Sequence, residues 1–345
     1  MSTSDSPSAP PSPDRSPAPP TGADSEPRPL IPFVRTGRVL VPLALFTALL
    51  LAVPGIVPNT PGRLGSLLES FRPWLGAAIP LLALVALLRR SAGAAVSLLV
   101  PTGVWLVLHG AALTAPDPHS VPETGYAVAQ HNVGDDNTDP AGTARSLADT
   151  GADLIGLQEI TPELLPAFSA ILDSEYPHHV VSGTLGLWSR HPLDEVRNVP
   201  VRPATLGPEW TRGMLRARAR TPDGDLAVYV AHLPSVRVGP TGFTTRLRDE
   251  AARVAGEALA DEPLERIVLL GDLNGTIDDR GLGPITDRMD STGGPLRFSW
   301  PETFPIARID HVMTRGLEIE RLLVMPATGS DHLPIYAHLN VPPTG

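Results

Sequence analysis

Three long apolar stretches precede a region of the chain in which short apolar and polar segments alternate. Val39–Val57 and Trp74–Leu88 carry no charged residue, and Ser91–Leu113 is the longest of the three. A helix that spans a lipid bilayer needs about 20 mainly apolar residues. The first and third stretches reach that length, and the second does so with Ser70–Pro73 if the Arg72 side chain extends to the membrane surface. The pattern predicts three transmembrane helices, the alternative being a buried helical hairpin.

The positions of the arginines predict the orientation of these helices. Arg28, Arg35 and Arg38 precede the first stretch, and Arg89 and Arg90 lie between the second and the third. Loops rich in basic residues stay on the cytoplasmic side of a membrane. The chain is therefore expected to be a multi-pass protein of the cell membrane, with a cytoplasmic N-terminus and an extracytoplasmic C-terminal region.

From Tyr126 onward, alternation or short unbroken apolar runs predict β-strands, and longer segments with cap signals predict helices. The predicted strands cover residues 126–133, 154–158, 178–182, 187–189, 195–199, 214–220, 226–232, 267–270, 309–313, 318–323 and 335–339. The predicted helices cover residues 141–150, 162–172 and 244–259. About ten strands with few helices favour an α+β fold, a two-sheet β-sandwich flanked by helices, over a doubly wound sheet.

Composition divides the chain into four parts. Residues 1–33 are dominated by Pro, Ser, Ala and Asp, which bury too little apolar surface to fold, so a disordered tail is expected. The three-helix anchor covers residues 34–113, and a Pro-rich linker follows over residues 114–124. The globular domain, in which any catalysis is expected, covers residues 125–341.

Charge and cysteine content narrow the classes of function. The chain has no Cys and no Lys. The absence of Cys excludes disulfides, thiolate zinc sites and a cysteine nucleophile. A bound metal would need oxygen or imidazole ligands, as hard cations prefer. Residues 115–345 carry 19 Arg and 32 acidic residues. Such a domain is a poor non-specific binder of duplex DNA, which is not an expected partner.

Polar side chains that could perform chemistry follow the predicted strands at five places, where strand ends form the rim of a sheet. They comprise Asn132, Glu159, His232, the pair Asp272 and Asn274, and the two Asp–His sequences Asp310-His311 and Asp331-His332. Each has an ordinary structural explanation, such as a turn-capping Asn or an acidic residue at a helix N-terminus. An Asp–His couple can also poise an imidazole for acid–base catalysis, although the sequence leaves open which Asp serves which His.

The order of these motifs resembles the endonuclease/exonuclease/phosphatase superfamily over about residues 125–341. The strings that carry the resemblance are His131-Asn132-Val133, Gln158-Glu159, Ser189-Arg190-His191-Pro192-Leu193, Ala231-His232-Leu233, Gly271-Asp272-Leu273-Asn274, Arg308-Ile309-Asp310-His311-Val312 and Ser330-Asp331-His332-Leu333-Pro334. The resemblance implies a metal-dependent phosphatase or phosphodiesterase.

The resemblance also implies catalytic roles. His332 corresponds to the essential His at the scissile phosphate, and Asp310 to the Asp that orients it. Asp272 corresponds to the residue that activates or positions the attacking water. Asn274 and His232 correspond to ligands of the phosphate oxygens.

For the metal site, the resemblance implies Mg²⁺, with Mn²⁺ as a second candidate. Glu159 corresponds to the main ligand, supported by Asn132 and Asp331. Two positions depart from the family pattern, because His131 stands where an aromatic residue is common and Gly134 stands where an acid is common. The remaining ligands are therefore left open.

The anchor followed by a compact domain resembles an actinobacterial membrane subgroup linked to teicoplanin resistance, the VanJ type. Membership would imply hydrolysis of a lipid-linked diphosphate, such as undecaprenyl diphosphate, outside the membrane and a contribution to glycopeptide resistance. The expected partners are thus a phosphorylated lipid and the membrane, and the sequence gives no oligomeric state. The alternatives are an extracytoplasmic Mg²⁺-dependent nuclease, a sphingomyelinase-like phosphodiesterase, and an inactive binding or scaffold protein.

Overall fold

A computed structural model describes most of the chain. It covers residues 33–111, 125–203, 205–207, 213–291 and 296–342, with side chains described from residue 39 onward. The predicted linker and nearly all of the predicted tail lie outside the described residues.

The N-terminal region is helical. Its helices are α1 (Phe33–Ala52), α2 (Leu64–Ser70), α3 (Ala78–Leu88), α4 (Ala92–Ser97) and α5 (Leu99–His109). The first helix packs against α3, α4 and α5, and Leu40, Ala86 and Ala94 form a small buried cluster between them. Helix α2 lies in the segment between the first two apolar stretches, where the sequence predicted no element.

One helix of the described residues, Ala92–His109 formed by α4 and α5 together, is long and apolar enough to cross a membrane. Leu64–Ser70 and Arg72–Leu88 would form a second span if taken together, although they are bent by 75°. The first stretch supplies a shorter apolar helix, Val39–Ala52. It ends before the predicted boundary because Pro54 follows, and proline interrupts a helix. Three membrane spans therefore remain a prediction.

The remainder of the described chain is built around two β-sheets. The first contains, in spatial order, β12 (Glu318–Val324), β13 (Ile335–Asn340), β1 (Tyr126–Asn132), β2 (Leu154–Gln158), β4 (Leu185–Ser189) and β3 (His178–Ser182). The second contains β11 (Asp310–Arg315), β10 (Ile267–Asp272), β7 (Gly224–His232), β6 (Met214–Thr221) and β5 (Leu193–Val199). A short hairpin of β8 (Val238–Gly239) and β9 (Gly242–Phe243) was not predicted.

Each sheet has one parallel pair, β1 with β2 and β7 with β10, while the other neighbours are antiparallel. Parallel strands end at the same edge of a sheet, so the residues that follow β1 and β2, and those that follow β7 and β10, are brought together. The strands lie close to their predicted positions, and the predicted two-sheet α+β sandwich is confirmed.

Three apolar layers hold this domain together. The central layer lies between the sheets and includes Val128, Val230 and Leu270. Helices α6 (Pro140–Ala148) and α7 (Leu165–Leu172) cover the outer face of the first sheet. The outer face of the second sheet is covered by α8 (Arg246–Ala260) and α9 (Gly283–Thr286).

Ion pairs attach the helical region to the domain. Arg280 binds Glu69 of α2 through two nitrogens, with Nη2 2.7 Å from Oε1 and Nε 2.8 Å from Oε2. Glu69 is buried, so the pairing offsets the cost of desolvating its carboxylate. A second pair joins Arg72 Nη1 to Asp278 Oδ1 at 3.0 Å.

We expect Arg280→Ala to destabilise the full chain, because it leaves the buried carboxylate of Glu69 without its cation. Loss of a partner from a buried pair corresponds to a decrease in Tm on the order of 5 °C in a chain of this size. The measurement is thermal unfolding in detergent, followed by intrinsic fluorescence. Arg253→Ala is the matched control, since Arg253 pairs with Glu257 on an exposed face of α8 and should change Tm little. Equal effects of the two substitutions would contradict the importance of this contact.

Candidate active site

Side-chain alternation along the strands places polar groups at one end of the interior between the sheets. Val230 of β7 and Leu270 of β10 belong to the central core. His232 and Asp272, two positions further along, face the same interior at the ends of their strands and lie opposite each other in the parallel register. Asn132 ends β1 in the same way.

The imidazole of His332 and the carboxylate of Asp310 form a buried couple across the two sheets. Nδ1 of His332 donates a hydrogen bond to Oδ2 of Asp310 at 2.8 Å. The hydroxyl of Ser299 donates to the same oxygen at 2.7 Å, and the amide of Gln130 donates to Oδ1 at 3.0 Å. Both oxygens of Asp310 are therefore engaged, which fixes the orientation of the imidazole ring.

The carboxylate of Asp272 lies beside this couple. Its Oδ2 is 3.8 Å from Nε2 of His332 and accepts hydrogen bonds at 3.1 Å from the side-chain amides of Asn132 and Asn274. Burial raises the pKa of Asp272, although the charge of His332 opposes the shift. Burial alone would lower the pKa of His332, but the carboxylates of Asp310 and Asp272 outweigh it and raise that pKa. The site thus combines a protonated imidazole with a carboxylate that accepts a proton readily.

His232 and Glu159 form the opposite side of the site. Nε2 of His232 lies 3.5 Å from Oδ2 of Asp272 and 3.7 Å from Oε1 of Glu159. Glu159 directly follows β2 with a φ of 62°, a left-handed conformation that is uncommon for residues other than glycine and is often found at functional sites. The backbone N–H of Asp135 donates to its Oε2 at 3.1 Å, which holds the side chain at the rim.

The loop before β13 carries Asp331 at the mouth of the site. The indole of Trp300 donates a hydrogen bond to Oδ2 of Asp331 at 3.1 Å, and Oδ1 of Asp331 lies 3.8 Å from Nε2 of His332. The hydroxyl of Ser330 links this loop to β1, because it donates to the carbonyl of Asn132 at 2.8 Å and accepts from the N–H of His332 at 3.1 Å. The eight residues to which the resemblance assigned catalytic or metal-binding roles therefore lie at one end of the sandwich.

Two neighbouring histidines have structural positions instead. Nε2 of His131 is hydrogen-bonded to the hydroxyl of Thr328, and Nε2 of His311 to the carbonyl of Gly275, both at 2.8 Å. Burial lowers the pKa of each to about 3, so both rings are neutral. The sequence left open which Asp pairs with which His, and the structure pairs Asp310 with His332.

A cavity of about 800 Å³ lies at this end of the sandwich, lined by Asn132, Glu159, His232, Asp272, Asn274, Asp331 and His332. The lining carboxylates belong to Asp135, Asp136, Glu159, Asp272 and Asp331, whereas Arg237 supplies the guanidinium among the described lining residues. Ser70 and Phe71, from the helical region, form part of its wall. An anionic phosphate would be repelled by this excess of negative charge unless a cation accompanied it.

Some residues of the site were missed by the sequence interpretation. The amide of Gln130 could have been inferred, since it lies two residues before Asn132 and thus on the same face of β1. Neither Ser299 nor Arg237 has a sequence signal that separates it from ordinary loop residues.

Residues 129–332 match the sequence model of the endonuclease/exonuclease/phosphatase family. The chain belongs to this family. Family members are metal-dependent hydrolases of phosphate esters, and the chain is accordingly an enzyme of that class, as predicted. A comparison with curated protein sequences gave no match.

Several solved structures have a similar fold. A mannosyl-6-phosphatase from Bacteroides thetaiotaomicron is 16% identical with a TM-score of 0.52, and the match covers 62% of this chain and 99% of that one. TDP2 from D. rerio, solved with a single-strand DNA product, is 18% identical with a TM-score of 0.53, over 64% and 100% of the two chains. A family protein from Bacteroides vulgatus gives 16% identity and a TM-score of 0.52, over the same 64% and 100%. At these identities the likeness is one of fold.

The donor set of the site fits the divalent metal that the family uses. Oxygen atoms of Glu159, Asp331 and Asn132 are ligands of the kind that hard cations prefer. Ligand atoms of Asp272, Asp310 and His332 also lie within 4.8 Å of one another, but both oxygens of Asp310 already accept hydrogen bonds. The resemblance assigns the ion to Glu159, Asn132 and Asp331 instead. A bound divalent ion would neutralise phosphate charge and polarise the bond to be cleaved.

We expect Asp310→Asn to reduce turnover of phosphate esters by about 10²–10⁴-fold, the usual contribution of an acid–base group. Because the Asp310 carboxylate raises the pKa of His332, its removal lowers that pKa, and residual activity that needs the imidazolium is lost at a lower pH than in the native enzyme. The measurement is a pH–rate profile. Asp149→Asn, at an exposed end of α6, is the matched control. A variant with native rates and a native profile would show that the couple is only structural.

We expect Glu159→Gln to raise the Mg²⁺ concentration for half-maximal activity on the order of tenfold, because ligand charge sets the affinity of carboxylate sites. Calorimetric titration with Mg²⁺ gives an independent readout. The matched control is Glu163→Gln, four residues away and exposed. An unchanged titration of the Glu159 variant would place the ion elsewhere.

Proposed function

We propose that the chain is a Mg²⁺-dependent hydrolase of a phosphate ester or diphosphate carried by a membrane lipid. Its catalytic domain would act at the outer face of the cytoplasmic membrane. The observation that carries the proposal is the composite wall of the cavity, because Ser70 and Phe71 of the helical region line it together with His332 and Glu159. The reactive groups are thus attached to the most apolar part of the chain.

The exposed surface of the helical region supports attachment to a membrane. Eighteen of the twenty-one large apolar side chains that are exposed in the described residues lie between Val39 and Val107. Such a concentration of exposed apolar side chains in one region of the chain is typical of membrane or partner contact. A multi-pass anchor with the N-terminus in the cytoplasm is the arrangement that we propose.

Charge supports a small anionic headgroup over a nucleic acid. Binding of duplex DNA depends on many cationic contacts to successive phosphates. The cavity wall instead carries five carboxylates and, among the described residues, the single guanidinium of Arg237. One metal-bound phosphate or diphosphate fits this balance better than a polyanion.

The proposed reaction is the attack of water on phosphorus. From a diphosphate, attack at the terminal phosphorus releases inorganic phosphate with the lipid monophosphate as leaving group, and from a phosphate ester the lipid alcohol leaves and takes up a proton from solvent. Asp272 accepts a proton from the water, which its raised pKa favours. The imidazolium of His332, held by Asp310, donates to a phosphoryl oxygen as charge develops there. His232 and Asn274 would provide further donors, and Glu159, Asn132 and Asp331 would hold the ion.

The resemblance to the VanJ type narrows the proposed substrate to a polyprenyl diphosphate, such as undecaprenyl diphosphate. A short connection to the membrane would keep the site close to lipid headgroups and raise their effective concentration. On this basis we also propose a contribution to glycopeptide resistance.

The test is incubation of the purified full chain, in detergent with Mg²⁺, with polyprenyl diphosphate, sphingomyelin, plasmid DNA and single-stranded DNA. We expect release of inorganic phosphate from the polyprenyl diphosphate at a rate at least tenfold above that of His332→Ala. Nicking of DNA without phosphate release from the lipid would support the nuclease alternative. Release of phosphocholine from sphingomyelin alone would support the phosphodiesterase alternative.

A further inference from the structure

An apolar groove lies between the helical region and the catalytic domain. Its volume is about 420 Å³, and its walls include Pro73, Trp74, Ile79, Thr102, Trp105 and Phe298. Trp74 stacks on Phe298 with ring centroids 5.6 Å apart and an interplanar angle of 16°. The groove is therefore formed jointly by α3, α5 and the catalytic domain.

The polar atoms of the groove wall are already bonded within the protein. Nε1 of Trp105 donates to the carbonyl of Pro73 at 3.0 Å, and Nε1 of Trp74 donates to the carbonyl of Ile306 at 2.8 Å. The hydroxyl of Thr102 donates to the carbonyl of the residue four positions earlier in its own helix, at 2.8 Å. The groove consequently presents hydrocarbon and aromatic surface, which suits an apolar ligand.

A small cavity of about 10 Å³ lies between the groove and the active-site cavity. Ser70 and Thr276 line both this small cavity and the active-site cavity, whereas Pro73 and Phe298 line both the small cavity and the groove. The groove and the active site are therefore neighbours, and a molecule with a charged group among the catalytic residues would place an attached apolar chain against Trp74 and Phe298 by displacing the side chains between them.

We propose that this groove binds the hydrocarbon chain of the substrate while the phosphate lies in the acidic cavity, an inference that rests on the function proposed above. The groove adjoins α3 and α5, whose exposed apolar side chains include Leu81, Leu84 and Leu99. A chain could enter from the bilayer without crossing water. Without the groove, lifting a headgroup to the site would expose the first carbons of its chain to water, which is unfavourable.

The decisive variant is Thr102→Phe in the full chain, which fills the groove from α5. Val107→Phe is the matched control, because Val107 lies on the same helix and is 86% exposed. Binding is measured first, in nanodiscs without Mg²⁺, as quenching of tryptophan fluorescence by a monophosphate with a brominated polyprenyl chain. We expect saturable quenching of the native protein and of the control, and an apparent affinity at least tenfold weaker in Thr102→Phe. Equal quenching of all three proteins would overturn the proposal.

Turnover supplies the second readout, with Mg²⁺ and two diphosphates of long and short isoprenyl chain. We expect the ratio of long-chain to short-chain kcat/KM to fall at least tenfold in Thr102→Phe; an unchanged ratio would also overturn the proposal. Ile79→Phe fills the groove from α3 and should lower the ratio in the same way. Because the two substitutions lie on different helices, a shared effect indicates that the groove is filled and not that one variant is misfolded. Saturable quenching that Thr102→Phe weakens, without phosphate release from either substrate, would support the groove and refute the hydrolase function.

Discussion

The hydrogen bonds that cross between the two sheets hold the active site together. Asp272 and Asp310 belong to the second sheet and are buried, whereas the amides of Asn132 and Gln130 that bind them belong to the first. A buried carboxylate is costly unless donors or cations surround it. Neither sheet could therefore bury its half of the site alone. The sandwich can pack only if the catalytic groups of its two sheets also come together. The contact of His332 with Asp310 has the same character, since His332 lies in the loop that leads into β13 of the first sheet.

Strand alternation explains why so much of the site could be predicted from the sequence. Once β7 and β10 were located by their apolar residues, the side chains at their ends had to face the same interior as Val230 and Leu270. What the pattern could not provide was the pairing between distant segments. Gln130 and Ser299 approach Asp310 from 180 and 11 residues away, and only the packed sheets decide such contacts.

The helical region was predictable in a different way. Its apolar character is evident in the sequence, but its attachment to the catalytic domain is not, because Glu69 and Arg72 look like ordinary loop charges. Their partners, Arg280 and Asp278, lie more than two hundred residues further along the chain. The same contacts lie beside the bend between Leu64–Ser70 and Arg72–Leu88, which coincides with the N-terminal end of the expected second span. Attachment to the domain and the start of that apolar helix therefore meet at Arg72.

The attachment of the helical region to the domain also affects which phosphates the acidic cavity can select. A carboxylate-rich site alone would bind a cation and repel anions, and it would discriminate poorly among the phosphates that a metal can attract. Selectivity must then come from surfaces that contact the remainder of the substrate. The walls of the neighbouring groove at Pro73 and Trp74 are apolar, and those residues come from the helical region. The part of the chain that would reach the membrane is thus also the part that can distinguish a lipid-borne phosphate from a soluble one.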